Sequence, residues 1–147
     1  MDARKLIGDG REKLEKHRGR LSAADVLQRY KDEDLPAFAE MELTDVNQTG
    51  IFGERPLDVA ACRGNLEEIY ALLDGGANID APGEHGNTAL HEAVGQGHFD
   101  VVRVLLAFGA RTNIRNEFGQ TPLDIASLPS YKTREEIEIL RLLESIG

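Results

Sequence analysis

The stretch Gly86–Ala110, GNTALHEAVGQGHFDVVRVLLAFGA, admits two readings that lead to different proteins. On the first, His91 and His98, with Glu92 beside His91, begin a metal or acid–base site. On the second, the glycines punctuate two short helices and the histidines are structural.

Sliding the stretch along the chain separates the two. Leu57, Leu90 and Leu123 recur at an interval of 33 residues, in RPLD, TALH and TPLD. Gly53, Gly86 and Gly119 keep the same interval four residues earlier. Gly76 and Gly109 repeat, as do Asn47, Asp80 and Asn113. Matched punctuation at such a period marks stacked repeats, in which each unit buries its apolar face against the next.

Local chemistry builds each unit. Thr88 and Thr121 are suited to accept an unpaired N–H at a helix start. Pro56 and Pro122 fit the first helical position, where a missing N–H costs nothing. Ala60, Ala61, Ala93 and Ala126 allow neighbouring first helices to approach closely, and Gly64 and Gly97 end two of them. Second helices carry Leu66, Ile69, Leu72 and Leu73, then Phe99, Val102, Leu105 and Leu106, an apolar stripe at helical spacing. Gly50, Gly83 and Asn116 share one position ahead of Gly53, Gly86 and Gly119. Residues tolerant of positive φ at both places predict a tight hairpin between units.

Glycine, a TPLH-like tetrad, paired alanines, GH, paired leucines and then GA-x-x-N: this order resembles the ankyrin repeat, over about residues 45–146. The resemblance implies an all-α ankyrin repeat solenoid of helix-turn-helix units joined by hairpin loops, with an irregular N-terminal cap. The expected organisation is a charged extension at 1–20, a helical cap at 21–44 and a repeat domain at 45–147. The three repeats run over about 48–80, 81–113 and 114–147. Val26, Leu27, Tyr30, Leu35, Phe38 and Leu43 are expected to cover the first unit, and LPSYKTREE lengthens the third into a C-terminal cap. There Ile139, Leu142 and Leu143 should face inward, with Glu135, Glu136, Glu138 and Glu144 open to solvent. Arg55 stands where the capping threonine belongs, and Asp58 and Asp124 where His91 does, so those units should lose part of the hydrogen-bonded belt.

Catalytic readings fare poorly. The zincin signature needs histidines four apart, but Gly95 holds that place and His98 lies beyond the break at Gly97. A metal-dependent enzyme using His91 and His98 therefore stays a remote alternative, and no cofactor is expected. Cys62, the single cysteine, excludes cysteine-pair zinc sites and internal disulfides, and only Arg63 in its unit could favour a thiolate.

The net charge of −9 divides into +3 over residues 1–20 and −12 over residues 21–147. An acidic body disfavours nucleic acid and anionic membranes and favours a basic partner or an uncharged one. The basic run at 4–20 alternates with acids and carries no aromatic, as a solvated face does. No apolar run approaches the ~20 residues of a membrane span, and the first twenty residues lack an apolar leader, so a cytoplasmic location is expected.

The resemblance implies non-catalytic protein–protein binding, with inhibition or stabilisation of a partner as its output and a monomer as the binding unit. An immunity-type inhibitor of a basic toxin or nuclease is the alternative. Carried over by position, the concave binding face would comprise Ile51, Phe52, Glu54, Cys62 and Arg63 from the first unit. Glu84, His85, Asn87 and Gln96 follow from the second, and Glu117, Phe118, Gln120 and Leu128 from the third. Phe52 and Phe118 are expected as anchors or as core, and Glu54, Glu84 and Glu117 as a ladder of tip carboxylates.

Overall fold

The computed structural model describes residue 8, residues 20–131 and residues 133–146. The charged extension expected at 1–20 lies outside the described residues except for Gly8 and Arg20. Seven α-helices and no strand occur among the described residues.

Helix α1 spans Ala23–Asp32 and starts at Ser22, whose hydroxyl accepts the Asp25 N–H at 3.1 Å while the Asp25 carboxylate accepts the Ser22 N–H at 3.0 Å. This reciprocal cap satisfies two of the donors that a helix start leaves unpaired. A 3-10 turn at Pro36–Phe38 follows.

The repeats begin with α2 (Pro56–Arg63) and α3 (Leu66–Asp74), continue with α4 (Ala89–Gly95) and α5 (Phe99–Ala107), and end with α6 (Pro122–Ala126) and α7 (Arg134–Ile146). Proline takes the first turn of α2 and α6, as expected. Thr88 and Thr121 cap α4 and α6 through their hydroxyls. Gly64 and Gly97 follow α2 and α4 with φ of 71° and 73°, and the His98 ring packs so closely on Gly64 that a Cβ there would meet it at 2.8 Å. First helices stack as α2, α4, α6 and second helices as α3, α5, α7. Ala60, Ala61, Ala93 and Ala126, all buried, allow the first row to close up. Ile69, Leu72, Val102, Leu105, Ile139, Leu142 and Leu143 fill the core between rows.

Helix α1 packs on α3, so the N-terminal cap extends the row of second helices by one. Glu68, wholly buried in α3, receives the Tyr30 hydroxyl at 2.7 Å and Arg29 at 3.0 Å, and Arg63 approaches at 3.6 Å. Val26, Leu27, Tyr30, Phe38 and Leu43 are buried, whereas Leu35 is half-buried.

The periodic side chains tie units together. Asn47 accepts the Asn78 N–H at 2.7 Å, and Asp80 accepts the Arg111 N–H at 2.9 Å, each from the unit after its own. Three hairpins share one backbone bond, from Gly50 to Glu54, Gly83 to Asn87 and Asn116 to Gln120, at 2.6, 2.7 and 2.9 Å.

Several expectations need correction. Only the second hairpin position, at Gly53, Gly86 and Gly119, has positive φ. Gly50 and Gly83 are required by close approach instead: a Cβ on Gly83 would collide with the Asp58 carboxylate, and one on Gly50 with the Ala37 carbonyl. Leu57 and Leu90 are buried, but Leu123 is only half-buried, because among the described residues no further first helix stacks beyond α6. Glu136 is half-buried rather than solvated; it caps α7 with Thr133 and lies against Gly97. The insert after α6 is pinned to the second unit by the Tyr131 hydroxyl, which donates to the Val94 carbonyl at 2.7 Å.

Candidate functional site

The histidines of the opening stretch both bridge units. His91 is buried; its Nδ1 accepts the Thr88 N–H at 3.1 Å, which leaves Nε2–H to donate to the Gln120 carbonyl at 2.9 Å in the next unit. Burial lowers its pKa, partly offset by that carbonyl, so the ring is neutral at physiological pH. His98 reaches the other way, with Nε2 at 2.9 Å from the Cys62 carbonyl. Both His91 ring nitrogens are thus occupied, and among the described residues no group of three or more His, Cys, Asp or Glu side chains is arranged to hold a metal ion.

In the first unit Arg55 replaces the lost belt, contrary to expectation. Its guanidinium donates to the Asn47 and Pro82 carbonyls, joining the first hairpin loop to the second. The long side chain spans from the cap position what His91 spans from inside the helix.

The hairpin tips are open to solvent, with Ile51 and Phe52 in the first, Glu84 and His85 in the second and Glu117 and Phe118 in the third. Ile51, Phe52 and Phe118 are 56%, 60% and 67% exposed, so neither phenylalanine folds back into the core. His85 sits between them in sequence, with φ of 57° and its ring 5.6 Å from that of Phe118. It lies 3.5 Å from Glu84 and 3.9 Å from Glu117, giving the tips a charged border. Gln96 and Leu128 are exposed, but at the C-terminal ends of α4 and α6, roughly 10 Å along the helices from the tips.

Three expected face residues are committed elsewhere, and a fourth is buried. Arg63 pairs with Glu33 and Glu68 and lies over the Tyr30 ring, 5.3 Å from its centre, so it holds the N-terminal cap. Asn87 bonds Glu92 and Asn116, and Gln120 bonds Asn116 and His91, which makes both hairpin struts. Glu54 is only 7% exposed. It occupies the repeat position of Asn87 and Gln120, not that of Glu84 and Glu117, so no ladder of three tip carboxylates exists.

Behind the tips, Glu54 helps line a cavity of about 130 Å³ with Asp58, Val59, Cys62, Glu84 and Glu92. Cys62 lies four residues from Asp58 and three from Val59, spacings that put it on one face of α2 with each of them. Asp58 accepts the Arg55 N–H at 2.9 Å, and burial, with Glu92 and Glu54 nearby, pushes its carboxyl up to about 7 against that bond. Glu92 is likewise raised, by burial first and by Glu84, although Asn87 donates to it. Partial burial and then Glu92 push the Cys62 thiol up, which opposes thiolate chemistry. Both Glu54 carboxylate oxygens are buried without a hydrogen-bond partner. Sequence reasoning missed Asp58, Val59 and Glu92 as site residues; the visible signal was aspartate where the repeat has histidine.

Stacked helix pairs joined by projecting hairpins define a solenoid repeat protein. The model of the family described as ankyrin repeats (many copies) matches residues 72–126, and that described as ankyrin repeat matches residues 52–84. The chain belongs to the ankyrin repeat family, whose repeats are protein–protein interaction modules. No curated protein matches it. No helix among the described residues is long and apolar enough to cross a membrane.

Proposed function

We propose that this chain binds one partner protein through its hairpin tips, without catalysis, and that binding inhibits or stabilises that partner. The observation that carries the reading is the exposure of Ile51, Phe52 and Phe118 on hairpins closed by backbone hydrogen bonds, while large apolar side chains elsewhere in the stack are mostly buried. Exposed aromatics with a charged rim have the composition of binding hot spots, where a few desolvated anchors dominate affinity. The −12 charge of residues 21–147 and the carboxylate-lined cavity favour a basic partner, of which an inhibited toxin or nuclease is one concrete form.

Anchors and rim act on different kinetic steps. Phe52→Ala or Phe118→Ala should speed dissociation, each costing ~1–3 kcal/mol, whereas Glu84→Lys with Glu117→Lys should slow association in a salt-dependent way. Surface plasmon resonance against the partner recovered from the source cell separates these. A partner whose kinetics are unaltered in all of these folded variants binds elsewhere, and the reading fails. Assay of the partner's own activity, with and without this chain, distinguishes inhibition from stabilisation.

A further inference from the structure

We infer that the cavity between the first two hairpins receives the ammonium group of one lysine side chain from the partner. The inference rests on the binding reading above and specifies the chemistry that this part of the face recognises.

Four of the six residues lining the cavity are acidic and none is basic. The independent observation is Glu54, 93% buried with neither carboxylate oxygen hydrogen-bonded. A buried carboxylate without a partner is costly, and folded proteins carry few such groups. The nearest cation in sequence, Arg55, is spent on the Asn47 and Pro82 carbonyls. A cation supplied from outside therefore removes a cost that the free protein carries, and that relief adds to affinity.

Size and shape select the cation. About 130 Å³ holds the end of one long side chain, not a helix or a second aromatic anchor. The four acidic residues come from four elements: Glu54 from the first hairpin, Asp58 from α2, Glu84 from the second hairpin and Glu92 from α4. An ammonium offers three donors around a point charge, which suits scattered acceptors, whereas a planar guanidinium prefers both oxygens of a single carboxylate. Val59 and the Cys62 side chain give the methylene stem an apolar wall. A metal ion needs several oxygens converging at close range, an arrangement not found among the described residues.

The test uses n-butylammonium as the lysine probe, titrated into the full chain at neutral pH with the side-chain carboxyl carbons followed by NMR. A saturable one-to-one shift at Glu54, Asp58, Glu84 and Glu92 is expected, with n-butanol inert and n-propylguanidinium weaker. Glu54→Gln should weaken the amine roughly tenfold or more, the worth of a hydrogen bond between charged groups. The same variant should melt no lower than the wild-type protein, because it removes an unpaired buried charge. Should Glu54→Gln fail to fold, Glu84→Gln at the exposed edge of the cavity must weaken the amine instead. The absence of a saturable shift, equal binding of n-butanol, equal or tighter binding of the guanidinium, or magnesium saturating the same signals at lower concentration would each overturn the inference. If the amine fails while Phe52→Ala still releases the partner, the binding reading survives alone. If the amine binds while no tip variant affects the partner, the lysine site survives alone.

Discussion

Asp58 and Asp124 hold one position in the repeat and make one local bond, accepting the N–H of the capping residue at 2.9 Å in both cases. Their acidities nevertheless move in opposite directions. Asp124 is exposed, and the bonds to Thr121 lower its pKa; Asp58 lies beneath Gly83, and burial raises its pKa to about 7. A folded value above the ordinary 3.8 means that the native state holds the proton more tightly than the unfolded chain does. Stability from this group is therefore fully present below about pH 4 and falls as pH rises to about 7, where it levels off. Asp124 and Asp25, with lowered values, contribute in the opposite sense, and their stabilisation is lost as pH falls through the acid range. Asp58→Asn keeps an oxygen for the Arg55 N–H, so urea midpoints measured between pH 4 and 8 should decline less in the variant than in the wild-type protein, with Glu92, also raised, keeping the remainder. An unchanged decline in the variant would assign it to another group.

At the scale of the element, the first helices are short, and α6 has only five residues. Helices of this length are not stable alone, so caps and stacking must hold them. Thr88 and Thr121, with His91 and Asp124 reciprocating, supply the caps, and the small alanines supply the stacking. Stacking is unequal along the row, because α4 is covered on both sides by α2 and α6. Leu90→Ala should therefore open a cavity and cost about 2–5 kcal/mol. The equivalent Leu123→Ala, at a half-buried position, should cost roughly half as much or less. Urea denaturation of the two variants gives the comparison, and equal losses would mean that α6 is buried as deeply as α4.

Over the whole molecule, each unit touches its neighbours, and the two ends are closed differently. The C-terminal end is covered by α7, whose open side carries Arg134, Glu135, Arg141 and Glu144, and by the Tyr131 clasp on Val94. At the N-terminal end, one buried glutamate holds α1 against α3 through Tyr30, Arg29 and Arg63. Neutralising Glu68 leaves two arginines short of their anion, although both are about one third exposed and water screens part of the loss. Glu68→Gln should cost roughly 1–3 kcal/mol, less than breaking a fully buried pair. In a linear stack the loss should be local, so amide hydrogen exchange should accelerate in α1 well before α5. Uniform acceleration through both helices would show the cap and repeats to be one cooperative unit.

The 33-residue recurrence of leucine and glycine, the threonine caps and the two apolar stripes determined the fold from sequence alone, because each is a local rule repeated in phase. The resemblance of TALH to the ankyrin tetrad, rather than the recurrence, assigned His91 to the belt, since Asp58 and Asp124 hold its position in the other units. The cavity was not legible in this way. Glu54, Asp58, Glu84 and Glu92 lie on four elements, and only stacking of the second hairpin on the first helix brings them together. Sequence position made Glu54 look like a tip residue beside Phe52. Burial is a property of what packs on top of a residue, and here the tertiary structure turned a surface carboxylate into an unpartnered buried one. Arg63 and Arg55 were settled at the same level, because a long side chain chooses among partners that sequence spacing does not reveal.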